Sequence, residues 1–535
     1  MSRPSALLLA ALLTAGAAHA AEGEYRLPDI GSSARTVVSE GEERAYAEWM
    51  LREFRRAGLL LDDPLLDGYL QGLGYRLVST SERPTQDFTF FWVRDRQINA
   101  FATLAGYVGV NAGLFLHATR EDEVAAVLAH EVAHVTQHHV LRGIERAQKD
   151  TIPILLGMLG AMVAAREAGG DGDATQAVMA SASALMAQLQ INYTRSNEAE
   201  ADRIGIAALH RAGYDVDAMA AFFERMQRAS RTAGAGASQM PDYLRTHPVT
   251  TTRISEARDR ARNLQAEPRR SPPPPPAPLN PLLPGILETR LDASPFAAGP
   301  DLFPWARERL RVLTADSPTE ALSEYRRLAS DSDPLLYGQA LAEIRAGQAQ
   351  RAIDRLSGLA ERNPGLLWVD LALAEAEHRA GRTTAAADRY EQLLARQPQN
   401  RAVALSYAQA LAELGTAAAA RRAQSVLQPL LNDERAGDPA FQRTYARAAE
   451  LAGDLVRAGE AHAEAAFLSG RPEDALNLLR RLKDEHTLDY YQRARIDARI
   501  AAITPVVLDA RRRGVRPGET DDGPRRLVPH TAFRQ

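Results

Sequence analysis

The sequence predicts a mostly helical α+β domain with a small β-sheet, followed by an all-α domain built of repeats. Prolines are dense from Pro268 to Pro304 and divide the chain into two halves. The first half contains a strand-like run, Asp87–Val93, whereas the second is almost purely helical with glycines at fixed intervals. We therefore predict a folded domain at 21–265, a proline-rich linker at 266–305, a repeat domain at 306–505 and a flexible tail at 506–535.

The composition is that of a globular protein and excludes several classes of site. Apolar residues make up 45% of the 535 residues, which is enough for packed cores. The net charge of -4 and the lack of a dense basic run argue against a nucleic-acid partner. The chain has no cysteine, which excludes disulfides, thiolate zinc sites and a lipid-attachment cysteine. We therefore predict a protein that is not a lipoprotein.

The N-terminus has the pattern of a cleaved secretory signal. Arg3 precedes an apolar stretch, Ala6–Ala17, and Ala18-His19-Ala20 forms a small-x-small cleavage site. Residues 1–20 are thus predicted to direct a soluble chain to the periplasm of a bacterium with two membranes. The later apolar stretch Ile152–Ala165 is too short to span a bilayer. A buried helix near the active site is one interpretation of it, and a mobile flap or a surface that touches lipid is the other.

The first domain combines two strand candidates with two long helices. Strands are predicted at Asp87–Val93 and within Ile98–Val110, where aromatic and β-branched residues are frequent. The first long helix is predicted at Glu121–Arg146, with Thr119 as a cap. The second includes Asn197–Ala212 and stops near the following glycine.

The second half repeats with a period of 34 residues. Gly347, Gly381 and Gly415 follow this spacing, and an alanine stands five residues after each of them. Such a helix-turn-helix period resembles tetratricopeptide (TPR) repeats, in which glycine allows the turn and alanine allows close helix contact. The alternative is a generic alanine-rich helical bundle.

The clearest chemical signal is His130-Glu131-Val132-Ala133-His134 in the first long helix. Residues four apart lie on one helical face, so both imidazoles can bind the same metal ion. Glu131 is offset towards a water molecule at that ion, and a carboxylate there can take a proton. The motif predicts a catalytic zinc site, for which a third protein ligand is required.

The candidate for the third ligand lies downstream. Glu198 and Asp202 are four residues apart and share a helical face, so Glu198 can bind zinc while Asp202 orients a ligand histidine. From spacing alone, an ordinary charged face explains this pair equally well. Glu200 falls on another face. His138 and His139 are most simply interpreted as exposed residues at the end of the first helix.

The two motifs together resemble the HtpX-type gluzincin metallopeptidases of family 48. Ile98–Ala102 with Gly106-Tyr107, and Arg245–Pro248, are further matching segments. With the signal sequence and the repeats, the chain is most similar to the periplasmic members of this family. The resemblance covers about residues 25 to 265, implies a gluzincin-type fold and one Zn²⁺ per chain, and favours Glu198 as the third ligand.

The resemblance also implies roles for individual residues. Glu131 would be the general base, and His247 would be a fourth ligand that approaches the zinc and holds the enzyme off. Arg253 would position an oxyanion or a carboxylate. Substrate would bind as an added strand at an active-site edge that includes Asn99, Ala100, Phe101 and Tyr107.

The function implied is cleavage of misfolded or misassembled envelope proteins by a zinc endopeptidase. The repeat domain would dock partners or clients, and by resemblance these include the outer-membrane β-barrel assembly machinery. The alternative is a chaperone or assembly scaffold whose protease site is mostly silenced by His247.

Overall fold

A computed structural model gives the fold of most of the chain. It describes residues 38–147, 149, 194–232, 242–266, 301–328, 331–431, 438–485 and 487–512. The predicted signal sequence, the apolar stretch 152–165 and most of the proline-rich linker lie outside the described residues.

The first domain consists mainly of helices around a small sheet. Its helices are α1 (Glu40–Arg56), α2 (Pro64–Ser79), α3 (Ala112–His117), α4 (Glu121–Thr136), α5 (139–147), α6 (194–211), α7 (Asp217–Thr232), α8 (Asp242–Thr246) and α9 (Thr251–Ala266). Its strands are β1 (Thr89–Val93), β2 (Ala100–Ala102) and β3 (Tyr107–Asn111). The predicted mixture of helices with a small sheet is thus confirmed.

The sheet has the order β1-β3-β2, so β2 is an edge strand. β1 pairs with β3 in parallel, whereas β2 pairs with β3 antiparallel and aligns Phe101 with Gly109. A Cβ atom at Gly109 would lie 2.4 Å from the Phe101 ring. Glycine at this position therefore lets the aromatic ring of the edge strand lie across the central strand.

The helix that carries the histidine motif lies in the centre of the domain. α4 packs against α2, α7 and β2, and its residues from Glu123 to Thr136 are all buried. Asp63 starts α2 by accepting a hydrogen bond from the amide of Leu66, and Pro64 occupies the first turn, where a missing N–H costs nothing. Burial on all sides fixes α4 rigidly within the domain.

The predicted helix from Glu121 to Arg146 is interrupted. It ends at Thr136 and resumes at residue 139, and between them His138 has a φ of 54°. The predicted cap at Thr119 is also wrong, because Arg120 is the N-cap residue and makes no side-chain cap. Instead, the carboxylate of Glu123 accepts hydrogen bonds from the backbone and side chain of Thr119.

The second half of the chain is entirely helical where it is described. Its helices are α10 (Phe303–Leu313), α11 (Pro318–Leu328), α12 (Asp333–Arg345), α13 (Ala349–Arg362), α14 (Leu367–Arg379), α15 (Thr383–Arg396), α16 (Arg401–Glu413), α17 (Ala417–Leu427), α18 (Pro439–Ala452), α19 (Leu455–Leu468), α20 (Pro472–Glu485) and α21 (Tyr490–Arg512). From α12 onwards, each helix packs against the next one along the chain.

The 34-residue spacing corresponds to turns between paired helices. Gly347, Gly381 and Gly415 have φ values of 74°, 75° and 70°, and each lies between two helices. Only glycine adopts this left-handed conformation without a steric cost. The alanines five residues later, Ala352, Ala386 and Ala420, are buried. The period in the sequence therefore corresponds to a repeated helix-turn-helix unit.

Two predicted boundaries are wrong. α10 begins at Phe303, inside the predicted linker, because Pro304 occupies the first turn of the helix, a position that accepts proline. α21 runs to Arg512, past Pro505 and beyond the predicted start of the tail at 506. Val507 is buried in the packing of α21 and extends the folded part past the proline. Residues 513–535 of the predicted tail lie outside the described residues.

The two halves pack against each other through α10. The Phe303 ring stacks on Phe115, with ring centroids 5.8 Å apart. Arg309 makes two hydrogen bonds to the carboxylate of Asp63, with N–O distances of 2.8 and 2.6 Å. α10 therefore ties the repeat half directly to the start of α2. Within the described ranges, the helices are all too short or too polar to cross a membrane.

Candidate metal centre

The two motif histidines meet on one face of α4. His130 and His134 are buried, and their Nε2 atoms lie 3.0 Å apart. Burial lowers the pKa of His134 to about 3, so that its imidazole is neutral, which is the form that binds metals. Both rings therefore direct a nitrogen at the same point.

Helix α6 brings Glu198 to this point. α6 crosses α4 so closely that a Cβ atom at Gly205 would lie 3.0 Å from the carbonyl oxygen of Ala129. The Glu198 carboxylate oxygens lie 3.3 Å from Nε2 of His130 and 3.4 Å from Nε2 of His134. The close helix crossing thus joins two motifs that are far apart in the sequence.

His247 completes the group from the segment after α8. Its Nδ1 lies 2.8 Å from a Glu198 oxygen and 3.4 Å from Nε2 of His130. One donor atom from each of His130, His134, Glu198 and His247 lies within 4.8 Å of the other three. His247 is therefore within the metal centre in this structure.

The spacing of these atoms fits zinc. Zinc binds nitrogen and carboxylate oxygen at about 2.0–2.2 Å in a tetrahedron, so neighbouring ligand atoms should be about 3.3–3.6 Å apart. The distances of 3.0, 3.3 and 3.4 Å among His130, His134 and Glu198 are close to this value. Two imidazoles and one carboxylate are also the ligand set of one class of catalytic zinc sites.

Asp202 and Arg253 support the metal ligands from behind. Nδ1 of His130 lies 2.9 Å from an Asp202 oxygen, and Arg253 holds both oxygens of Asp202 at 2.7 and 2.8 Å. Burial raises the pKa of Asp202, but interactions with His130 and Arg253 outweigh burial and lower this pKa to about 2. Nη1 of Arg253 also lies 2.8 Å from a Glu198 oxygen. Arg253 therefore contacts two protein carboxylates, one of them in the metal centre.

The field at the centre favours positive charge. Burial alone would lower the pKa of His130, but the negative charge of Glu198 and the contact with Asp202 raise it to about 10. Glu131 adds another buried carboxyl group beside these residues. A cation bound between the ligands would relieve the repulsion among the carboxylates.

Glu131 faces the metal centre from one side. One of its oxygens accepts a hydrogen bond of 2.9 Å from the amide of Ala102 in β2. The other oxygen has no hydrogen-bond partner among the described residues and lies 3.7 Å from Nε2 of His247. Burial raises the pKa of Glu131, which makes the carboxylate a better proton acceptor. One oxygen of Glu131 is thus held by the backbone, and the other is available to accept a proton.

The predicted substrate edge is only partly formed as expected. The amide of Asn111 donates a main-chain hydrogen bond to the carbonyl of Asn99, and in an antiparallel pair the next residue points its main-chain groups away from the partner strand. Ala100 and Ala102 therefore direct their main-chain groups away from β3, and the amide of Ala102 reaches Glu131 beside the metal centre. Tyr107, in contrast, starts the central strand β3 and pairs with β1, so it is not part of the edge.

One residue of the site was missed in the sequence. His139 is buried, with its Nδ1 2.8 Å from Nδ1 of His134 and its Nε2 3.1 Å from Glu200. The prediction that His139 is exposed is wrong, because the break at His138 turns the chain back towards α6. The only sign of this residue in the sequence was the pair of adjacent histidines after the motif. Whether their side chains point into the site depends on the break in the helix, which the sequence did not reveal.

Comparison with known proteins agrees with this geometry. The family model described as Peptidase family M48 matches residues 64–261, which include the motif and all four candidate ligands. A relative from Vibrio cholerae is 46% identical over 242 residues, covering 44% of this chain and 47% of the relative.

Two further relatives are named beta-barrel assembly-enhancing protease. The protein from Yersinia pestis is 38% identical over 272 residues, covering 50% of this chain and 54% of the relative. The protein from Escherichia coli K12 is 37% identical over 264 residues, covering 49% and 52%. This chain thus spans about half the length of the relatives it matches. Together with the family match and the ligand set, these relatives show that residues 64–261 are similar to the metallopeptidases of family M48.

Proposed function

We propose that this chain is an exported zinc-dependent endopeptidase that acts on envelope proteins during their assembly and quality control. The observation that carries the proposal is the meeting of His130, His134 and Glu198 at one buried point beside Glu131. In a structural zinc site, the unpartnered oxygen of Glu131 would have no function. A hydrolytic site, in contrast, requires a general base that takes a proton from the attacking water.

The reaction we infer is hydrolysis of a peptide bond. A zinc ion at the centre would supply a Lewis acid that polarises a peptide carbonyl and acidifies water. The available oxygen of Glu131 takes a proton from the attacking water, whose oxygen bonds to the carbonyl carbon. Glu131 then gives this proton to the amine nitrogen as the C–N bond breaks. The amide of Ala102 holds the other Glu131 oxygen during both transfers.

The substrate would bind along β2. An extended peptide could pair with the outward main-chain groups of Ala100 and Ala102, which border the metal centre. Beyond Ala102 a cleft continues between the turn at Thr103–Gly106 and the residues His134 and Leu141. A peptide bound in this direction would pass its carbonyl beside the three predicted ligands.

The observed arrangement supports a closed resting form. With His247 as a fourth protein ligand, a tetrahedral ion would have no position left for water. The same segment also covers the substrate edge, because the amide of Tyr243 donates a hydrogen bond of 3.2 Å to the carbonyl of Ile98. We infer that the segment of α8 and His247 must move away before a peptide can bind.

The envelope substrates and the export are inferred from the relatives and the N-terminus. The relatives' name, beta-barrel assembly-enhancing protease, links them to β-barrel assembly. By analogy, we propose periplasmic localisation and partners in the outer-membrane assembly machinery. The helical pairs of the second half, interpreted as a TPR-like solenoid, would supply the docking surface.

A second function is favoured by the position of His247. A protein whose metal centre is closed could act mainly as a chaperone or assembly scaffold, with cleavage as a minor activity. The two functions predict different behaviour when Glu131 is changed, because a scaffold does not use its carboxylate.

The test measures zinc content and casein cleavage for the wild type and for Glu131→Gln. We expect about one zinc per chain in both proteins and cleavage in the wild type alone, with a loss of about 10²- to 10⁴-fold in the variant. A wild type that binds zinc but never cleaves protein would contradict the endopeptidase proposal. If Glu131→Gln fully supports outer-membrane protein assembly in cells, the scaffold function dominates.

A further inference from the structure

A chain of side chains in contact extends from His134 away from the metal centre, with His139 buried in its middle. Nδ1 of His134 lies 2.8 Å from Nδ1 of His139, and Nε2 of His139 lies 3.1 Å from an oxygen of Glu200. Nη2 of Arg142 lies 2.7 Å from the same oxygen of Glu200. The side chain of His139 is only 3% exposed, so water has little access to the middle of this chain.

The ligand role of His134 fixes the protons along this chain. Nε2 of His134 points at the metal centre and must keep its lone pair for the ion, so Nδ1 of a neutral ring carries the proton. Among the described residues, Nδ1 of His139 lies within hydrogen-bond distance of it and accepts that proton. Nε2 of His139 must then carry its own proton, which it donates to the carboxylate of Glu200. Both hydrogen bonds therefore run in one direction, from His134 towards Glu200.

We propose that His139 and Glu200 are positioning residues for the zinc ligand His134. Metal-bound histidines commonly donate their second ring N–H to a carboxylate, which fixes the ring and makes it a stronger ligand. His130 contacts its carboxylate directly, with Nδ1 2.9 Å from an Asp202 oxygen. His134 reaches a carboxylate through an intervening imidazole, and Arg142 holds that carboxylate in place.

The break after α4 makes this arrangement possible. In an uninterrupted helix, His139 would lie five residues beyond His134 and about 500° further round the axis, on a different face. The left-handed residue His138 interrupts the helix, and the ring of His139 packs on the ring of His134 with centroids 4.7 Å apart. The nearby helix α6 then supplies Glu200 as well as the ligand Glu198.

The inference rests on the proposed zinc site and is tested by zinc affinity, measured by competition with a chelator. We expect His139→Ala to weaken zinc binding by about 10- to 100-fold, the usual cost of losing such a partner. His139→Gln should restore much of the affinity, because its amide can accept from His134 and donate to Glu200. Glu200→Gln, at a partly exposed residue that should not affect folding, should weaken binding in the same direction but less.

The matched control is His462→Ala. His462 also pairs with a carboxylate, Glu450 at 2.7 Å, but it lies in the repeat half. The zinc affinity of the His462→Ala variant should equal that of the wild type. The visible spectrum of the cobalt-substituted protein gives a second readout, which should change in His139→Ala and not in the control.

The result that would overturn the inference is zinc affinity within twofold of the wild type in both His139→Ala and Glu200→Gln. This outcome is distinguishable from failure of the proposed function, in which the wild type itself binds zinc but does not cleave protein. If His139→Ala does not fold, Glu200→Gln alone decides, and unchanged affinity in that variant refutes the role of the chain.

Discussion

Removal of the His247 side chain is the perturbation whose outcome the structure predicts most directly. Its Nδ1 is 2.8 Å from an oxygen of Glu198, and its ring stacks on Tyr243 with centroids 4.8 Å apart. The contact with Glu198 stabilises the closed form and cannot form once the segment has moved, whereas Tyr243 belongs to the same segment and moves with His247. His247→Ala should therefore increase the fraction of molecules that can bind substrate.

The magnitude follows from the hydrogen bond to the charged carboxylate. Such a bond stabilises a protein by about 1.5–3 kcal/mol, which corresponds to a shift of about 10- to 150-fold in the closed-to-open ratio. When the open form is rare, activity is proportional to its population. We expect casein cleavage by His247→Ala to rise by up to about 100-fold.

The assay compares initial rates of casein cleavage at equal zinc content. His462→Ala, a change at a histidine–carboxylate pair remote from the metal centre, controls for loss of a histidine. The double variant with Glu131→Gln should be inactive, which would show that the gained activity comes from the same site. A zinc-loaded and folded His247→Ala protein that is less active than the wild type refutes the closed-form argument.

Three further predictions concern the framework of the site. Glu198→Gln should lower zinc affinity by at least about tenfold in chelator competition, since it removes the anionic ligand, and unchanged affinity would contradict its assignment. Gly205→Ala should cost about 1–3 kcal/mol of folding free energy in urea denaturation and also weaken zinc binding, because its Cβ would meet the backbone of the ligand helix. The control is Gly72→Ala, also inside a helix, where the added Cβ would have open space around it. This change should be neutral or stabilising. Asp63→Ala should cost about 3–5 kcal/mol in the same assay, because it leaves the largely buried Arg309 without its carboxylate and also removes the side-chain cap of α2. A loss below about 1 kcal/mol would show that this pair does not hold the two halves together.

The sequence by itself determined the local features. The spacing of His130 and His134 requires one helical face, whatever the rest of the fold. The aromatic run before Val93 predicts a strand, and the strand is present. The period of 34 residues predicts turns at glycines, and the left-handed φ at Gly347 agrees. Each of these features depends on neighbours within a few residues, so it can be deduced from the order of residues.

Only the tertiary structure decided which distant groups meet. Spacing left the acidic pair at Glu198 equally compatible with a charged surface, and the crossing of α6 over α4 at Gly205 brings it to the histidines. Arg253 was assigned to an oxyanion or a carboxylate, and the fold directs it at Asp202. The burial of His139 depends on one left-handed residue in a helical sequence. Such outcomes are set by packing between separate elements, which no local pattern of residues encodes.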